Sequence, residues 1–306
     1  MTKPVKNFAA SVRQRLLNLS KENDADYNAM LQRFTRERFL YRLGMSSEVD
    51  RFTLKGAALF VVWGGGEFRP TKDVDLLGSG SPDHAVVRRQ VEAVLSMPCP
   101  EDGLTFEPSL TNVESIHEEE KYVGVRVRLE GRLGRAKLPL QVDIGFGDAV
   151  TPGRSEAEYP TLLDLPIPRI WTYPRETVVA EKFEVMVRRG LSNTRLKDFW
   201  DIGVLARRFS FDGETLRSAI DETFRRRGTP HTSEPPEALA PTFYEDVARA
   251  RQWQAFQRKM RVADASASFG TIGQILREFL GPVHDSLAGS SPFTRVWPAA
   301  GPWRPR

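Results

Sequence analysis

Asp73-Val74-Asp75-Leu76-Leu77 decides the fold of this chain, because it predicts a short buried strand that carries acids on one face. Side chains at positions i and i+2 of a strand point to the same face, so Asp73 and Asp75 project together while Val74 anchors the strand in a core. Two like charges held close together repel each other, and a divalent cation relieves that repulsion. The segment therefore predicts a pair of catalytic carboxylates that bind Mg²⁺. The alternative is a pair of solvated acids on an ordinary strand.

The segments around this strand predict a small mixed sheet flanked by helices. Alternating apolar residues indicate one strand over residues 123–129 and a second over residues 138–144. Helical spacing indicates two amphipathic helices within residues 8–43 and another at 83–97. Asp143 lies in the otherwise apolar second strand and is a candidate third metal ligand, because three acids on neighbouring strands can hold metals for displacement at phosphorus.

A candidate nucleotide-binding segment, Lys55-Gly56-Ala57-Ala58, precedes the acidic strand. It places a glycine and small residues at the start of an apparent helix, where backbone N–H groups can approach a triphosphate. Lys55 and Gly56 are therefore candidate nucleotide-binding residues. The triplet Gly64-Gly65-Gly66 lacks the Gly-Lys-Ser/Thr of a P-loop and is interpreted as a flexible turn.

The C-terminal half is predicted to be helical and rich in arginine, which makes the fold class α+β. A Pro-rich connector at residues 165–168 divides the chain into a first lobe at 1–168, an all-helical lobe at 169–280 and a loosely held tail at 281–306. The predicted helices of the second lobe are Thr177–Arg189, Arg195–Arg208, Asp212–Arg226, Pro241–Val262 and Phe269–Leu280.

The composition is that of an ordinary globular protein, with 40% hydrophobic and 27% charged residues among 306. The formal net charge of +4 is modest, but the pI of about 9.2 leans towards polyanionic partners. The single cysteine, Cys99, excludes an internal disulfide and a cysteine-based zinc site. The N-terminus resembles no signal peptide, and no apolar run approaches the roughly 18 residues of a membrane span. We therefore expect a cytoplasmic location and no membrane partner.

A second concentration of charged residues lies at Glu181-Lys182 and at Arg195–Asp201. Lys197 and Asp201 are four residues apart on a predicted helix, so the segment can be interpreted as a salt-bridged surface. The functional interpretation puts Lys182 on nucleotide phosphates and Asp198 on a nucleotide, a metal or the acceptor. The residues alone leave both interpretations open.

The order of these motifs resembles a known superfamily. Residues 54–58, 69–76 and 142–144 are similar to the DNA polymerase β-like nucleotidyltransferases. The later segments 174–182, 188–190 and 195–201 are more specific, and with them the chain resembles the AbiEii/AbiGii toxin family over about residues 8–205. Ala57 departs from the superfamily's serine, which removes one hydroxyl contact to phosphate.

The resemblance implies a bilobed nucleotidyltransferase with its site in the cleft, the toxin of a type IV toxin–antitoxin and abortive-infection system. It implies Mg²⁺ as the cofactor, an NTP as the substrate, the 3′ end of tRNA as the acceptor and a cognate antitoxin as a partner. The family's motifs place functional residues at Gly56, Asp73, Asp75, Lys182 and Asp198. Thr71 stands where relatives have a hydroxyl that is phosphorylated in some of them.

The sequence therefore predicts transfer of a nucleoside monophosphate from an NTP to an acceptor hydroxyl. The predicted residues are Asp73, Asp75, Lys182 and Asp198 for catalysis, Lys55, Gly56, Thr71 and Lys182 for the nucleotide, and Asp73, Asp75 and Asp143 for the metal. Arginines of the helical lobe are predicted to attract acceptor phosphates: Arg188, Arg189, Arg207, Arg208 and Arg225–Arg227. Transfer to a small molecule or a protein, and a non-catalytic RNA-binding module, are the alternatives.

Overall fold

The computed structural model describes residues 7–64, 69–116, 124–260, 267–289 and 292–306. Within these residues the chain forms two compact units. The first unit holds the chain up to residue 147 together with residues 155–172, and the second holds residues 148–154 and 173–306. Part of the turn predicted at Gly64–Gly66, the first residue of the strand predicted at 123–129 and the end of the helix predicted at 241–262 lie outside the described residues.

The first unit consists of helices and one mixed sheet. Its described helices are α1 (Phe8–Glu22), α2 (Tyr27–Met45), α3 (Leu59–Gly64) and α4 (His84–Leu95). Its described strands are β1 (Phe52–Lys55), β2 (Val74–Gly78), β3 (Leu104–Phe106), β4 (Asn112–Ile116), β5 (Gly124–Leu133), β6 (Ala136–Phe146), β7 (Ser155–Glu158) and β8 (Arg169–Thr172).

The sheet places β2 at its centre. Its order is β3-β5-β6-β2-β1-β8-β7, and β4 also pairs with β5. β2 runs parallel to β6 and antiparallel to β1. Along β2, β5 and β6, buried residues alternate with more exposed ones, so one face of these strands is covered and the other is accessible. Helix α2 packs against β6 and β8. The predicted mixed sheet flanked by helices is confirmed.

Helices α1, α2 and α4 each begin at a polar side chain that caps the first turn. Asn7, Asp26 and Asp83 accept hydrogen bonds from backbone N–H groups that have no partner inside the helix. Most apolar positions of α1 and α2 are buried, among them Leu16 and Phe34, which join a core cluster with residues of the sheet, while Leu19 and Tyr27 are partly buried against it. The helical spacing in the sequence therefore identified the buried side of both helices.

Helix α2 also buries charged side chains, which its apolar pattern did not predict. Arg42 forms a two-point ion pair with Asp102, at 2.7 and 3.2 Å. Both carboxylate oxygens of Glu37 accept the backbone N–H of Leu162, at 2.8 and 3.0 Å. Burial raises the pKa of Glu37 to about 7, although the Leu162 hydrogen bond and nearby arginines act to lower it. A buried charge is tolerated only where such partners surround it.

The second unit is mainly helical. Its described helices are α5 (Arg175–Arg189), α6 (Leu196–Arg208), α7 (Gly213–Arg227), α8 (Pro241–Glu245), α9 (Val247–Met260) and α10 (Phe269–Leu287). A small sheet in the order β11-β10-β9 adds β9 (Phe211–Asp212), β10 (Arg295–Trp297) and β11 (Arg304–Pro305). The helices agree with the predicted ones to within two residues, except that the helix predicted at 241–262 is divided at Asp246 and α10 extends past its predicted end at Leu280.

The C-terminal segment packs onto the second unit in the described residues, where the sequence favoured a loosely held tail. Helix α10 continues to Leu287, and β10 pairs with β9. The indole N–H of buried Trp297 donates to the carbonyl of Ala206 at 2.7 Å, and that of Trp303 to the carbonyl of Phe279 at 2.9 Å. Burial of these aromatic rings stabilises the segment against the entropy cost of ordering it.

Across the described residues, we find no helix that is both long enough and apolar enough to cross a lipid bilayer.

Candidate active site

Four charged residues lie on one rung across the sheet of the first unit. Lys55 at the end of β1 is opposite Asp75 on β2, Asp75 is opposite Asp143 on β6, and Asp143 is opposite Arg126 on β5. Neighbouring strands are roughly 4.8 Å apart, and opposed residues share a face. Two carboxylates are therefore flanked by two cations. The sequence predicted Lys55, Asp75 and Asp143 as site residues, and the strand register brings them together.

The sequence predicts Asp73 inside the strand. In the structure Asp73 lies at a bend, one residue before β2 begins. Strand ends are assigned to within one or two residues, so this difference is small. Asp73 and Asp75 are both partly exposed, and the fully buried Val74 separates them. This alternation of burial agrees with the prediction that the two carboxylates lie on one side of the chain.

Gly56 directly follows β1 and lies against the carboxylate of Asp75. Its φ is +72°, a conformation that residues with a side chain rarely adopt. A Cβ atom at this position would lie 2.1 Å from Oδ2 and 2.7 Å from Cγ of Asp75. The structure thus gives a reason for this glycine that the sequence did not show: any larger residue displaces Asp75. The 3-10 turn Gly56–Ala58 leads into α3.

Asp143 is held by an arginine that the sequence analysis missed. Nε and Nη2 of Arg126 each donate to one carboxylate oxygen of Asp143 at 2.8 Å, and the amide of Gln141 donates at 3.1 Å. These hydrogen bonds from Arg126 to Asp143 raise the pKa of the guanidinium. Within the described ranges, no group of three or more His, Cys, Asp or Glu side chains is arranged to hold a metal. Asp143 lies on β6, as the sequence predicts, and its carboxylate forms a two-point ion pair with Arg126.

A buried arginine fixes the backbone before Asp73. The guanidinium of Arg36, on α2, donates to the carbonyl of Thr71 at 2.7 Å and to the hydroxyl of Tyr159 at 3.4 Å. Arg36 is fully buried, whereas an arginine in an amphipathic helix is usually expected on the solvent side. Thr71 itself is partly exposed. The missed signal is that Arg36 interrupts the apolar stripe of α2 between Phe34 and Phe39.

Lys182 and Asp198, predicted from separate motifs, are in direct contact in the second unit. Nζ of Lys182 lies 2.9 Å from Oδ1 of Asp198 and 2.9 Å from Oδ2 of Asp201. Nε of Arg195 donates to the other oxygen of Asp198 at 2.8 Å. Burial alone would raise the pKa of Asp198, but Lys182 and Arg195 hold it well below its ordinary value. Both aspartates are buried, so this is an internal ionic cluster and not a salt-bridged surface.

Several arginines predicted to attract acceptor phosphates are tied to acids instead. Arg227 pairs with Asp148 and with Glu184, at 2.9 Å each, and is almost entirely buried. Arg188 also pairs with Glu184 at 2.9 Å. Arg225 forms an ion pair with Glu222, one turn away on α7. Each of these three guanidinium groups therefore has a carboxylate partner in the same chain, and the Arg225–Glu222 pair lies at the surface.

The pair Asp73 and Asp75 fits the ligand preference of Mg²⁺. The cation takes hard oxygen ligands, typically from one or two carboxylates together with substrate phosphates. Both acids stand on the accessible side of the sheet, beside the glycine that lets the chain approach Asp75 closely. The residues present therefore suit a metal site that a triphosphate completes.

Comparison with protein families gives the class. Residues 38–275 match the sequence profile described as nucleotidyl transferase AbiEii toxin, type IV toxin–antitoxin system. The chain is therefore a nucleotidyltransferase, an enzyme, and the non-catalytic alternative is set aside. It belongs to the AbiEii toxin family, and the resemblance drawn from the sequence motifs is confirmed.

Two solved structures from Helicobacter pylori are similar to the chain. One is JHP933, with 14% identity over 83% of this chain and 90% of that one, and a TM-score of 0.46. The other is a candidate nucleotidyltransferase, with 13% identity over 83% of this chain and 93% of that one, and a TM-score of 0.46. A comparison with curated proteins finds no match.

Proposed function

We propose that this enzyme transfers a nucleoside monophosphate from an NTP to a hydroxyl group of RNA, with the 3′ end of tRNA as the acceptor. The observation that carries the proposal is the charged rung of the first unit, in which Gly56 packs against Asp75 and the acids stand between Lys55 and Arg126. Membership of a nucleotidyltransferase family supports the reaction class. Modification of tRNA would give a toxin its effect on translation.

In this proposal Asp73 and Asp75 would hold Mg²⁺, which would supply positive charge to offset that of the triphosphate. Lys55 and the backbone at Gly56 contact the phosphates, and Thr71 lines the nucleotide site. Asp143 would assist from beside them, with Arg126 holding its carboxylate in position through one hydrogen bond to each oxygen, which leaves acceptor capacity on Oδ1.

Lys182 would neutralise the triphosphate, and Asp198 and Asp201 would orient its ammonium group. Three donors on Nζ allow contact with two aspartates and one phosphate oxygen at the same time. The arrangement supports this role because Lys182 is 13% exposed, so part of the side chain remains accessible. Asp198 stays ionised because Lys182 and Arg195 lower its pKa.

The acceptor and the partner are the finer parts of the proposal. The positive net charge favours a polyanionic acceptor such as tRNA. A toxin of a type IV system implies a cognate antitoxin, which we propose as a protein partner.

A labelling experiment tests the reaction and the acceptor together. The purified enzyme is incubated with Mg²⁺, total bacterial RNA and each of the four NTPs labelled at the α-phosphate, before and after nuclease treatment. Label that enters RNA of tRNA size and disappears with nuclease is expected. Label that enters protein, or a small molecule after addition of a cell extract, would identify a different acceptor. The absence of both label transfer and pyrophosphate release would contradict the proposal.

A further inference from the structure

Helix α9 carries positive charge without any acid. Its 14 residues, Val247–Met260, contain four cationic and no acidic side chains. Arg251, Arg258 and Lys259 are exposed, and within the described part of the chain none of them forms an ion pair. We call these three residues the α9 basic face. Helix α9 was predicted as part of a longer helix, but no role followed from its sequence.

The geometry of the helix brings these charges together. Arg251 and Arg258 are seven residues apart, which is close to two turns, so they share one side about 10 Å apart along the axis. Lys259 lies next to Arg258, and the exposed Gln254 and Ala255 fill the turn between. Among the residues of α9 itself there is no acid, and Asp246 caps the N-terminus of the helix, where it accepts from the backbone N–H of Arg249 at 2.7 Å.

The opposite side of α9 fixes the helix on the second unit. Trp253 is buried, and its indole N–H donates to the carbonyl of Ala267 at 2.9 Å. Its ring packs 6.1 Å from that of Trp200, which lies between Asp198 and Asp201 on α6. Helix α9, which carries the basic face, therefore packs against α6, the helix that carries Asp198 and Asp201.

Arg249 makes a second connection to the same region. Its guanidinium stacks on the ring of Phe243, 4.0 Å from the ring centroid. It also donates to the carbonyls of Leu191 and Asn193, in the segment that precedes Arg195. Arg249 is thus used in packing, which leaves the other three cations to face solvent.

We propose that the α9 basic face binds the phosphate backbone of the RNA acceptor. The inference rests on the proposed function, because it names the surface through which that acceptor is held. Cations without carboxylate partners can replace the counterions of a polyanion, whereas Arg225 and Arg227 would first have to leave Glu222, Asp148 and Glu184. Contacts of this kind position RNA without reading its sequence.

The test compares two triple variants that remove the same charge. One variant carries Arg251→Gln, Arg258→Gln and Lys259→Gln. The control carries Arg13→Gln, Arg15→Gln and Lys21→Gln, three exposed cations of α1 in the first unit. The affinity of each protein for unfractionated bacterial tRNA is measured by fluorescence anisotropy at several salt concentrations, with thermal unfolding as a check on folding.

The α9 variant is expected to bind tRNA at least about 10-fold more weakly at low salt. The slope of log affinity against log salt concentration should be smaller in magnitude by about 2–3. This is close to one for each phosphate that the protein no longer neutralises. Its KM for tRNA should rise while its KM for the NTP is unchanged. The control should keep the wild-type affinity within about 3-fold, because its three cations lie on α1 and outside the α9 basic face.

Binding to anionic lipid vesicles is measured in parallel. Three outcomes would overturn the inference: equal losses of tRNA affinity in both triple variants, wild-type tRNA affinity in the α9 variant, or an α9 variant that loses vesicle binding and keeps tRNA binding. The labelling experiment distinguishes a failure of this inference from a failure of the proposed function. A wild-type enzyme that transfers no nucleotide to RNA contradicts the proposed function, whereas transfer that is insensitive to the α9 changes contradicts only the inference.

Discussion

A Cβ atom on Gly56 would lie 2.1 Å from Oδ2 of Asp75, so the two residues keep their positions only while residue 56 is glycine. Gly56→Ala should therefore push the Asp75 carboxylate out of place. A misplacement of about 1 Å in a catalytic group can cost on the order of 100-fold in rate, and we expect a loss of that size. The measurement is kcat for pyrophosphate release from the NTP.

Gly134→Ala is the matched control. Gly134 also has a positive φ, +63°, but the nearest atom to an added Cβ is 3.8 Å away, which is an ordinary van der Waals distance. This variant should lose about 1 kcal/mol of stability through backbone strain and keep its kcat. Equal loss of activity in both variants would show that strain, and not the contact with Asp75, explains the Gly56 result.

The sequence predicted the parts of this site better than their arrangement. Asp73, Asp75 and Asp143 were found because an acid in an apolar strand is conspicuous, and Lys182 because its motif is specific. The rung from Lys55 to Arg126 depends on how four strands pair, and strand register is set by contacts distant in sequence.

Buried charge was the main feature that the sequence hid. Arg36 and Glu37 lie on α2 among apolar residues, and periodicity assigns such residues to solvent. Their partners, Thr71 and Leu162, are distant in sequence, so nothing local indicates the hydrogen bonds. The same reason explains why the packing of Trp297 in the C-terminal segment was not predicted.

Arg126→Gln should change how the enzyme uses Mg²⁺. The substitution removes a positive charge that competes with a cation for the oxygens of Asp143, so Mg²⁺ should bind more tightly beside it. We expect half-maximal activity at a severalfold lower Mg²⁺ concentration. Arg128→Gln is the control, because Arg128 lies on the same strand but pairs with the exposed Glu114. An unchanged Mg²⁺ requirement in the Arg126 variant would argue against a metal role for Asp143.

Lys182→Met should affect both folding and turnover. It removes the ammonium group that contacts both buried aspartates, Asp198 and Asp201, and breaking a buried pair typically costs about 3–5 kcal/mol. Lys182→Arg keeps the charge, so it should restore most of the stability but only part of kcat, because the planar head fits differently.

Lys197→Met is the control variant, because Lys197 is exposed and lies on α6, the helix that carries Asp198 and Asp201. Urea unfolding and steady-state kinetics at saturating NTP measure both effects. A Lys182→Met protein with wild-type stability and kcat would contradict the role of the cluster in both.

Glu37 should make stability depend on pH. Its pKa in the folded protein is raised from 4.5 to about 7, so the folded state binds the proton more tightly than the unfolded state. The contribution is fully present below about pH 4.5 and is lost as the pH rises to about 7, a change of about 3 kcal/mol in the free energy of unfolding. Glu37→Gln mimics the protonated form and should remove this dependence. Identical pH profiles of the two proteins in urea unfolding between pH 5 and 7 would contradict the assignment.

The central claim is that Asp73 and Asp75 hold the metal for nucleotidyl transfer. The most direct measurement is Mg²⁺-dependent pyrophosphate release, with NTP and tRNA, by the single variants Asp73→Asn and Asp75→Asn and by the double variant, with Glu101→Gln as an exposed control. Loss of the ligands should remove several kcal/mol of transition-state stabilisation, so each single variant should be slower by about 1,000-fold while the control stays active. A well-folded double variant that releases pyrophosphate at the wild-type rate would contradict the account.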